Sequence, residues 1–211
     1  MKITKIGHSC LLIHENHLRI VVDPGSYSEG QNRLRDIDLI LITHEHPDHF
    51  DLNSLQILMK NNPGVKIITN EGVGAFLKKE SIDYEILSDR KNMVWQNVMI
   101  ECYGDQHAEI YPSYPRAVNT GYMIGSRFFY PGDNFTDLRR HVDILALPVA
   151  GPWLRLADAI DYALQLKPKA VIPVHDGMLK HFGSVHTLTQ TVLEASDIRF
   201  IELADGKEIE I

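Results

Sequence analysis

The segment Ile42-Thr43-His44-Glu45-His46-Pro47-Asp48-His49 constrains this chain more than any other stretch. Three histidines and an aspartate fall within six residues, directly behind the apolar run Leu39-Ile40-Leu41-Ile42. Such a run reads as a buried strand, and the chain turns at its carboxyl end with the polar side chains gathered there. In extended backbone, residues two apart face the same side, so His44 and His46 can reach one ion together. Pro47 discourages a further ladder strand and helps the turn. Asp48 and His49 can then address a second ion beside the first. Imidazole and carboxylate donors suit zinc, manganese and iron. A solvated helix start, capped by Asp48 or Asp51, accounts for one histidine in such a place but not for this density.

Two further ligand-type residues stand in matching contexts. Asp133 follows the apolar run Phe128-Phe129-Tyr130 and a Pro-Gly turn, and His175 follows Val171–Val174. Each is thereby set at a strand end. Taken alone, Asp133 reads equally well as a turn aspartate. His107 lies between the 44–49 motif and Asp133, among polar neighbours.

Strands are expected at Ile3–Ile6, Cys10–His14, Leu18–Val22, Asp38–Thr43, Val65–Thr69, Glu85–Leu87, Met93–Trp95, Val98–Tyr103, Asp143–Pro148 and Ala170–Val174. Thr120–Ile124 and Arg127–Tyr130 predict a hairpin through Gly125-Ser126. Helices are expected at Leu52–Lys60 behind an Asp51 cap, and at Glu71–Lys79, Ala157–Leu166 and Val185–Ala195. Ser26–Asp36 and Glu109–Ala117 read as loops, and Ile198–Leu203 with Lys207–Ile211 as a closing hairpin. Strands in runs, then alternating with helices, indicate sheets covered by helices. No linker or low-complexity segment divides the chain, so 1–211 is expected to be a single domain.

The net charge of -7 disfavours a nucleic-acid-coating role. No apolar run approaches membrane-spanning length, and the N-terminus lacks a signal-like apolar stretch. A cytoplasmic protein with no membrane partner is expected. Cys10 and Cys102, the only cysteines, sit in strand-like runs and read as buried thiols. No Gly-rich nucleotide loop, Gly-x-Ser-x-Gly elbow or Cys-x-x-Cys pair is present.

With these residues in view, the chain resembles the metallo-β-lactamase superfamily, whose His-x-His-x-Asp-His signature it matches in full. Gly7-His8-Ser9-Cys10-Leu11-Leu12-Ile13, Ile20-Val21-Val22-Asp23-Pro24, Tyr130-Pro131-Gly132-Asp133, Asp143–Val149 and Lys167–His175 extend the resemblance over most of the chain. These segments look most like small stand-alone metal-dependent hydrolases related to the ascorbate-6-phosphate lactonase group. The resemblance implies an α/β fold, a four-layer αββα sandwich of two mixed β-sheets flanked by helices. It also implies a site assignment: His44, His46 and His107 on a first ion, Asp48, His49 and His175 on a second, and Asp133 bridging. Electron-transfer relatives carry glutamate where His46 stands, so the histidine favours hydrolysis.

The function expected is metal-dependent hydrolysis of a small ester, lactone or phosphoester, with water activated between two divalent ions. Zinc is placed first, with manganese or iron suited by the same ligands. A phosphodiesterase or nuclease of the same fold, and a non-catalytic metal-binding protein, are the alternatives. The substrate is expected to be a small, anionic molecule rather than nucleic acid, and a homo-oligomer fits the family. Asp48 is a candidate catalytic residue as well as a ligand. His8 is the other candidate catalytic residue, as a hydrogen-bonding or substrate group at the site, with a structural histidine as the competing reading. Asp23 either orients a ligand histidine or forms a turn with Pro24. Tyr111, Tyr114 and Arg116 are candidate substrate contacts, and Trp153 and Arg155 lie where a pocket wall is expected. His14, His17 and His141 read as surface residues, and His181 or His186 could line the cleft.

Overall fold

A computed structural model describes residues 1–211. Fourteen strands form two seven-stranded sheets. In the first sheet, β1 (Lys2–Ile6), β2 (Cys10–Glu15) and β3 (Leu18–Val22) run antiparallel, then β4 (Leu39–Leu41), β5 (Lys66–Thr69) and β6 (Glu85–Ile86) continue parallel to β3. The second sheet repeats this plan. Its strands β7 (Asn92–Trp95), β8 (Val98–Tyr103), β9 (Gly121–Ile124) and β10 (Phe128–Tyr130) are antiparallel, and β11 (Ile144–Pro148) and β12 (Ala170–Val174) add on in parallel. Helices α1 (Leu52–Asn61) and α2 (Glu71–Lys79) belong to the first half, α3 (Leu156–Leu166) and α4 (Gly183–Glu194) to the second.

The hydrophobic pattern dictates the layering. Strands of the parallel halves are buried on both faces, as β4, β11 and β12 are at every residue. One face of each sheet fills a shared core, where Ile3, Leu11, Ile20 and Leu41 meet Ile100, Tyr122, Phe128 and Ile144. The outer faces are covered by helices: Leu55, Leu58, Val73 and Leu77 on one side, Ala159, Ile160, Ala163 and Leu193 on the other. The result is the four-layer αββα sandwich of two mixed sheets expected above.

Helix α1 starts where Asp51 accepts from the Ser54 amide at 2.8 Å, and α2 where Asn70 accepts from Gly72 and Val73. The β9–β10 hairpin turns on Gly125 and Ser126, both in the left-handed region. Both cysteines are buried free thiols. No helix is long and apolar enough to cross a membrane.

Two expectations fail. The loop 26–36 contains a 3-10 turn at Gly30–Arg33, around the buried Gln31. The closing segments do not form a hairpin: β13 (Arg199–Phe200) pairs parallel with β12, and β14 (Glu208–Glu210) pairs antiparallel with β1. Each covers the open edge of a different sheet. Period-two patterning alone cannot tell a hairpin from two separate edge additions.

Two buried tyrosine hydroxyls tie the sheets together next to the histidine-rich loop. Tyr122 in β9 donates to the Ile42 carbonyl at 2.9 Å, and Tyr130 in β10 donates to the Ser9 carbonyl at 2.8 Å. A closer backbone approach occurs at Gly25. A Cβ there would lie 2.0 Å from the Asp48 carbonyl oxygen and 2.6 Å from the His49 nitrogen. The contact is backbone against backbone and cannot be relieved by a rotamer change. Gly25→Ala is expected to lower stability by about 1–3 kcal/mol through overpacking and to displace the 44–49 loop. Chemical denaturation with a metal-binding titration on the same protein checks both, and wild-type values in both would show the approach to be looser.

Candidate metal centre

All functional side chains sit where strands end. Asp23 follows β3, His44–His49 follow β4, His107 follows β8, Asp133 follows β10 and His175 follows β12. His8 lies in the β1–β2 turn. The parallel strands of both sheets thus empty toward one crevice, the usual place for a ligand site in such folds.

The structure brings all seven predicted ligand residues together with His8. Ligand-type atoms of His44, His46 and His107 lie within 4.8 Å of one another, as do those of His8, Asp48 and His175, and those of His44, His49 and Asp133. Asp133 is central. Its Oδ2 is 3.1 Å from His175 Nε2 and 3.3 Å from His107 Nε2, and its Oδ1 is 3.2 Å from His49 Nε2. Asp48 Oδ2 is 3.1 Å from His175 Nε2 and 3.8 Å from His49 Nε2. His49 thus stands nearer to Asp133 than to Asp48.

The other ring nitrogens decide what these imidazoles can do. His107 Nδ1 lies 2.6 Å from the Ala108 carbonyl, and His175 Nδ1 lies 2.7 Å from the Ala150 carbonyl. A carbonyl only accepts, so Nδ1 carries the proton in both rings. His49 Nδ1 likewise donates to Asp23 Oδ2 at 2.7 Å. Thr43 Oγ1 donates to Asp23 Oδ2 at 2.7 Å and so accepts from His44 Nδ1 at 3.0 Å. All four rings therefore turn Nε2 toward the carboxylates. Of these atoms, Nε2 of His44, His107 and His175 has no hydrogen-bond partner, and neither has Asp133 Oδ1. Buried lone pairs without donors are costly, and a cation satisfies them. The donor set fits divalent metal ions, with second-layer acceptors of the kind that fix ligand histidines.

The carboxylates and imidazoles shift one another's proton affinity. Burial opposes ionisation of Asp133, but His49, His175 and His107 hold its carboxyl well below the usual range. Asp48 behaves alike: burial pushes it up, and His175 and His8 more than offset this. Burial pulls His175 down, yet Asp133 and Asp48 push it up to about 9. His49 is likewise raised by Asp133 and Asp23 against burial. His44 and His46 move the other way, lowered first by burial and then by neighbouring imidazoles.

Asp23 performs both of its expected roles. It turns the chain at φ 49° and accepts from the Thr43 amide, the Thr43 hydroxyl and His49. Trp153, half-buried, donates Nε1–H to Asp133 Oδ2 at 2.7 Å. Arg116 is exposed and spent on Glu109 and Gln106, and Tyr111 and Tyr114 are exposed. His17, His141 and His181 are exposed, while His14 is half-buried. His186 does not line the cleft: it is buried, with Nε2 on Asp176 at 2.9 Å. Sequence reasoning missed Thr43 and Asn119. Asn119 Oδ1 accepts from the Asp133 amide at 3.0 Å and its amide donates to the Pro131 carbonyl. Position immediately before the histidine motif was the only available signal for Thr43, and Asn119 carried none.

Comparison with known proteins agrees with this geometry. A model of the beta-lactamase superfamily domain matches residues 2–175. The chain belongs to the metallo-β-lactamase superfamily. It is 30% identical to Protein Rv0786c of Mycobacterium tuberculosis, over 90% of this chain and 94% of that protein. It is 28% identical to the UPF0173 metal-dependent hydrolase NEQ378 of Nanoarchaeum equitans, over 100% of this chain and 94% of that one. Among solved structures it superposes on Igni18, a metallo hydrolase from Ignicoccus hospitalis, with a TM-score of 0.79, covering 100% of this chain and 98% of that chain at 19% identity. That last likeness shows the shared superfamily fold.

The raised imidazoles give a pH signature. Stabilisation from a histidine at about 9, against an ordinary 6.5, is full below 6.5 and is lost as pH rises through 9. His44, buried neutral, acts oppositely and costs stability below 6.5. Metal-free protein is therefore expected to lose thermal stability between pH 6.5 and 9. With zinc the trend should reverse, since ligand imidazoles must be deprotonated. Melting curves with chelator and with zinc across that window test this; parallel curves would contradict it.

Proposed function

We propose that this metallo-β-lactamase superfamily member hydrolyses a small anionic ester, lactone or phosphoester with two divalent metal ions, zinc foremost. At the coarser level it is a metal-dependent hydrolase, the description its relative from Nanoarchaeum equitans carries. The observation that carries the reading is the set of imidazoles whose Nδ1–H groups are tied to oxygen acceptors while Nε2 converges on two carboxylates.

His44, His46 and His107 would hold one ion, Asp48, His49 and His175 the other, with Asp133 between them. Divalent ions held there would supply polarisation of a substrate oxygen and a lowering of the pKa of water toward ~7. The protein supplies the fixed frame. Asp23 and Thr43 keep His44 and His49 in one tautomer, and the Ala108 and Ala150 carbonyls do so for His107 and His175. Trp153 steadies Asp133 Oδ2 and walls the crevice beside His107, its ring centroid 5.9 Å away. Asp48 has the more open carboxylate, at 18% side-chain exposure against 3% for Asp133. It is placed to orient an attacking water as a hydrogen-bond acceptor, while its depressed pKa makes it a poor proton store.

The charge balance favours an anionic substrate. Two divalent ions would outweigh the charges of Asp48, Asp133 and Asp23, and Arg116, the cation among the candidate substrate contacts, is already paired with Glu109. A sugar-phosphate lactone of the ascorbate-6-phosphate type fits this class, as does a small phosphodiester.

The test is a turnover screen of metal-reconstituted protein against aryl esters, lactones, phosphomonoesters and phosphodiesters. Turnover is expected for at least one class. His46→Ala and Asp48→Asn should each lower it by roughly 100-fold or more, since loss of an outer-layer partner alone costs 10–100-fold. Circular dichroism should stay native. Unchanged turnover in both variants would defeat the mechanism.

A further inference from the structure

His8 has no place in the ligand assignment above, although its ring lies beside Asp48 and His175. It is fully buried, with 0% exposure, and neither ring nitrogen has a hydrogen-bond partner. A histidine buried only for packing would have at least one nitrogen satisfied. Its Nε2 faces Asp48 Oδ2 at 3.4 Å, too long for a strong charge-assisted bond. The ring stands 4.2 Å, centroid to centroid, from His175.

The backbone around this residue is fixed from several sides. The His8 carbonyl accepts from the His175 amide at 3.0 Å, so the β1–β2 turn and the end of β12 are joined beside the crevice. Gly177 allows this approach: a Cβ there would lie 2.9 Å from His8 Cα. Tyr27 covers another side of the ring at 5.3 Å. The imidazole is thus held, fully buried and without a protein hydrogen-bond partner, against the more open carboxylate and its histidine neighbour.

We propose that His8, through Nε2, is a further protein ligand of the ion held with Asp48 and His175. This deepens the metal-centre reading above and rests on it. His8, Asp48 and His175 present ligand atoms within 4.8 Å of one another, as do His44, His46 and His107. The two sides of the centre then differ. One offers three imidazoles and the shared Asp133. The other offers His8, His175, His49, Asp48 and Asp133, more donors than a four-coordinate zinc uses. An ion that accepts five or six ligands suits that side better.

Cobalt titration followed by visible absorption and metal analysis reads this without turnover. Wild-type protein is expected to take up two ions. His8→Ala should keep the first at wild-type affinity and bind the second at least about 10-fold more weakly, with an altered cobalt spectrum. In His8→Gly, added imidazole should restore the second spectrum, which a purely structural role for His8 would not allow. Two ions bound to His8→Ala with unchanged affinity and spectrum overturn the proposal. A wild-type protein that binds no ion overturns the underlying reading instead. A measurement on the unaltered chain removes dependence on variant folding. With 15N-labelled histidine and cadmium-113, coupling to Nε2 of His8 is expected alongside that of His175; coupling at His175 without His8 sinks the assignment.

Discussion

A carboxylate buried to 2% exposure cannot keep its charge unless positive groups surround it, and Asp133 is the residue on which this constraint falls. Its oxygens meet Nε2 of His49, His107 and His175 within 3.3 Å. Those rings come from loops after β4, β8 and β12, so the charge of one side chain couples both sheets. Without cations the cluster makes up the deficit by holding protons on His175 and His49. With them, the same lone pairs would serve as ligands. The arrangement is costly as a packing solution and economical as a metal centre.

Backbone geometry carries part of that cost. Asp23 and His175 both adopt left-handed φ angles, 49° and 62°. Such conformations cost non-glycine residues of order 1–3 kcal/mol each. They persist because the neighbours over-determine them. Asp23 is held by Thr43 and His49, and His175 by the Ala150 and His8 carbonyls. The neighbouring Asp176 adds a buried pair with Lys5, at 2.5 Å, and a bond to His186. Strain at the strand ends and the tyrosine bridges from Tyr122 and Tyr130 both fix where the ligand loops can lie.

Much of this was legible from sequence wherever chemistry is local. The 44–49 motif announces itself by density, and Asp133 and His175 by following apolar strands. The αββα layering follows from strands buried on both faces and from helices with one apolar side. What stayed hidden depends on contacts distant along the chain. Thr43, Asn119 and Trp153 act through bonds to residues that no local pattern pairs with them. Asp23 was legible both as a turn residue and as a partner for a ligand histidine, and it is both; the close approach of the 23–26 loop to the 44–49 loop at Gly25 was not legible. The terminal strands β13 and β14 fit a hairpin pattern equally well, and only the open edges of β12 and β1 assign them to separate sheets. His186 could be placed near the cleft by sequence position, yet its Nε2 is bonded to Asp176 and its Nδ1 faces Glu202 at 3.1 Å.

Family membership, the pinned imidazoles and the paired carboxylates support the proposal made above, water-driven hydrolysis at two cations. The most direct measurement is anomalous diffraction from crystals grown with zinc or manganese. Two strong peaks flanking Asp133, each touched by Nε2 atoms of the histidines named here, are the predicted result. A map empty between His44, His107, His49 and His175, with those rings turned away from the carboxylates, would contradict it.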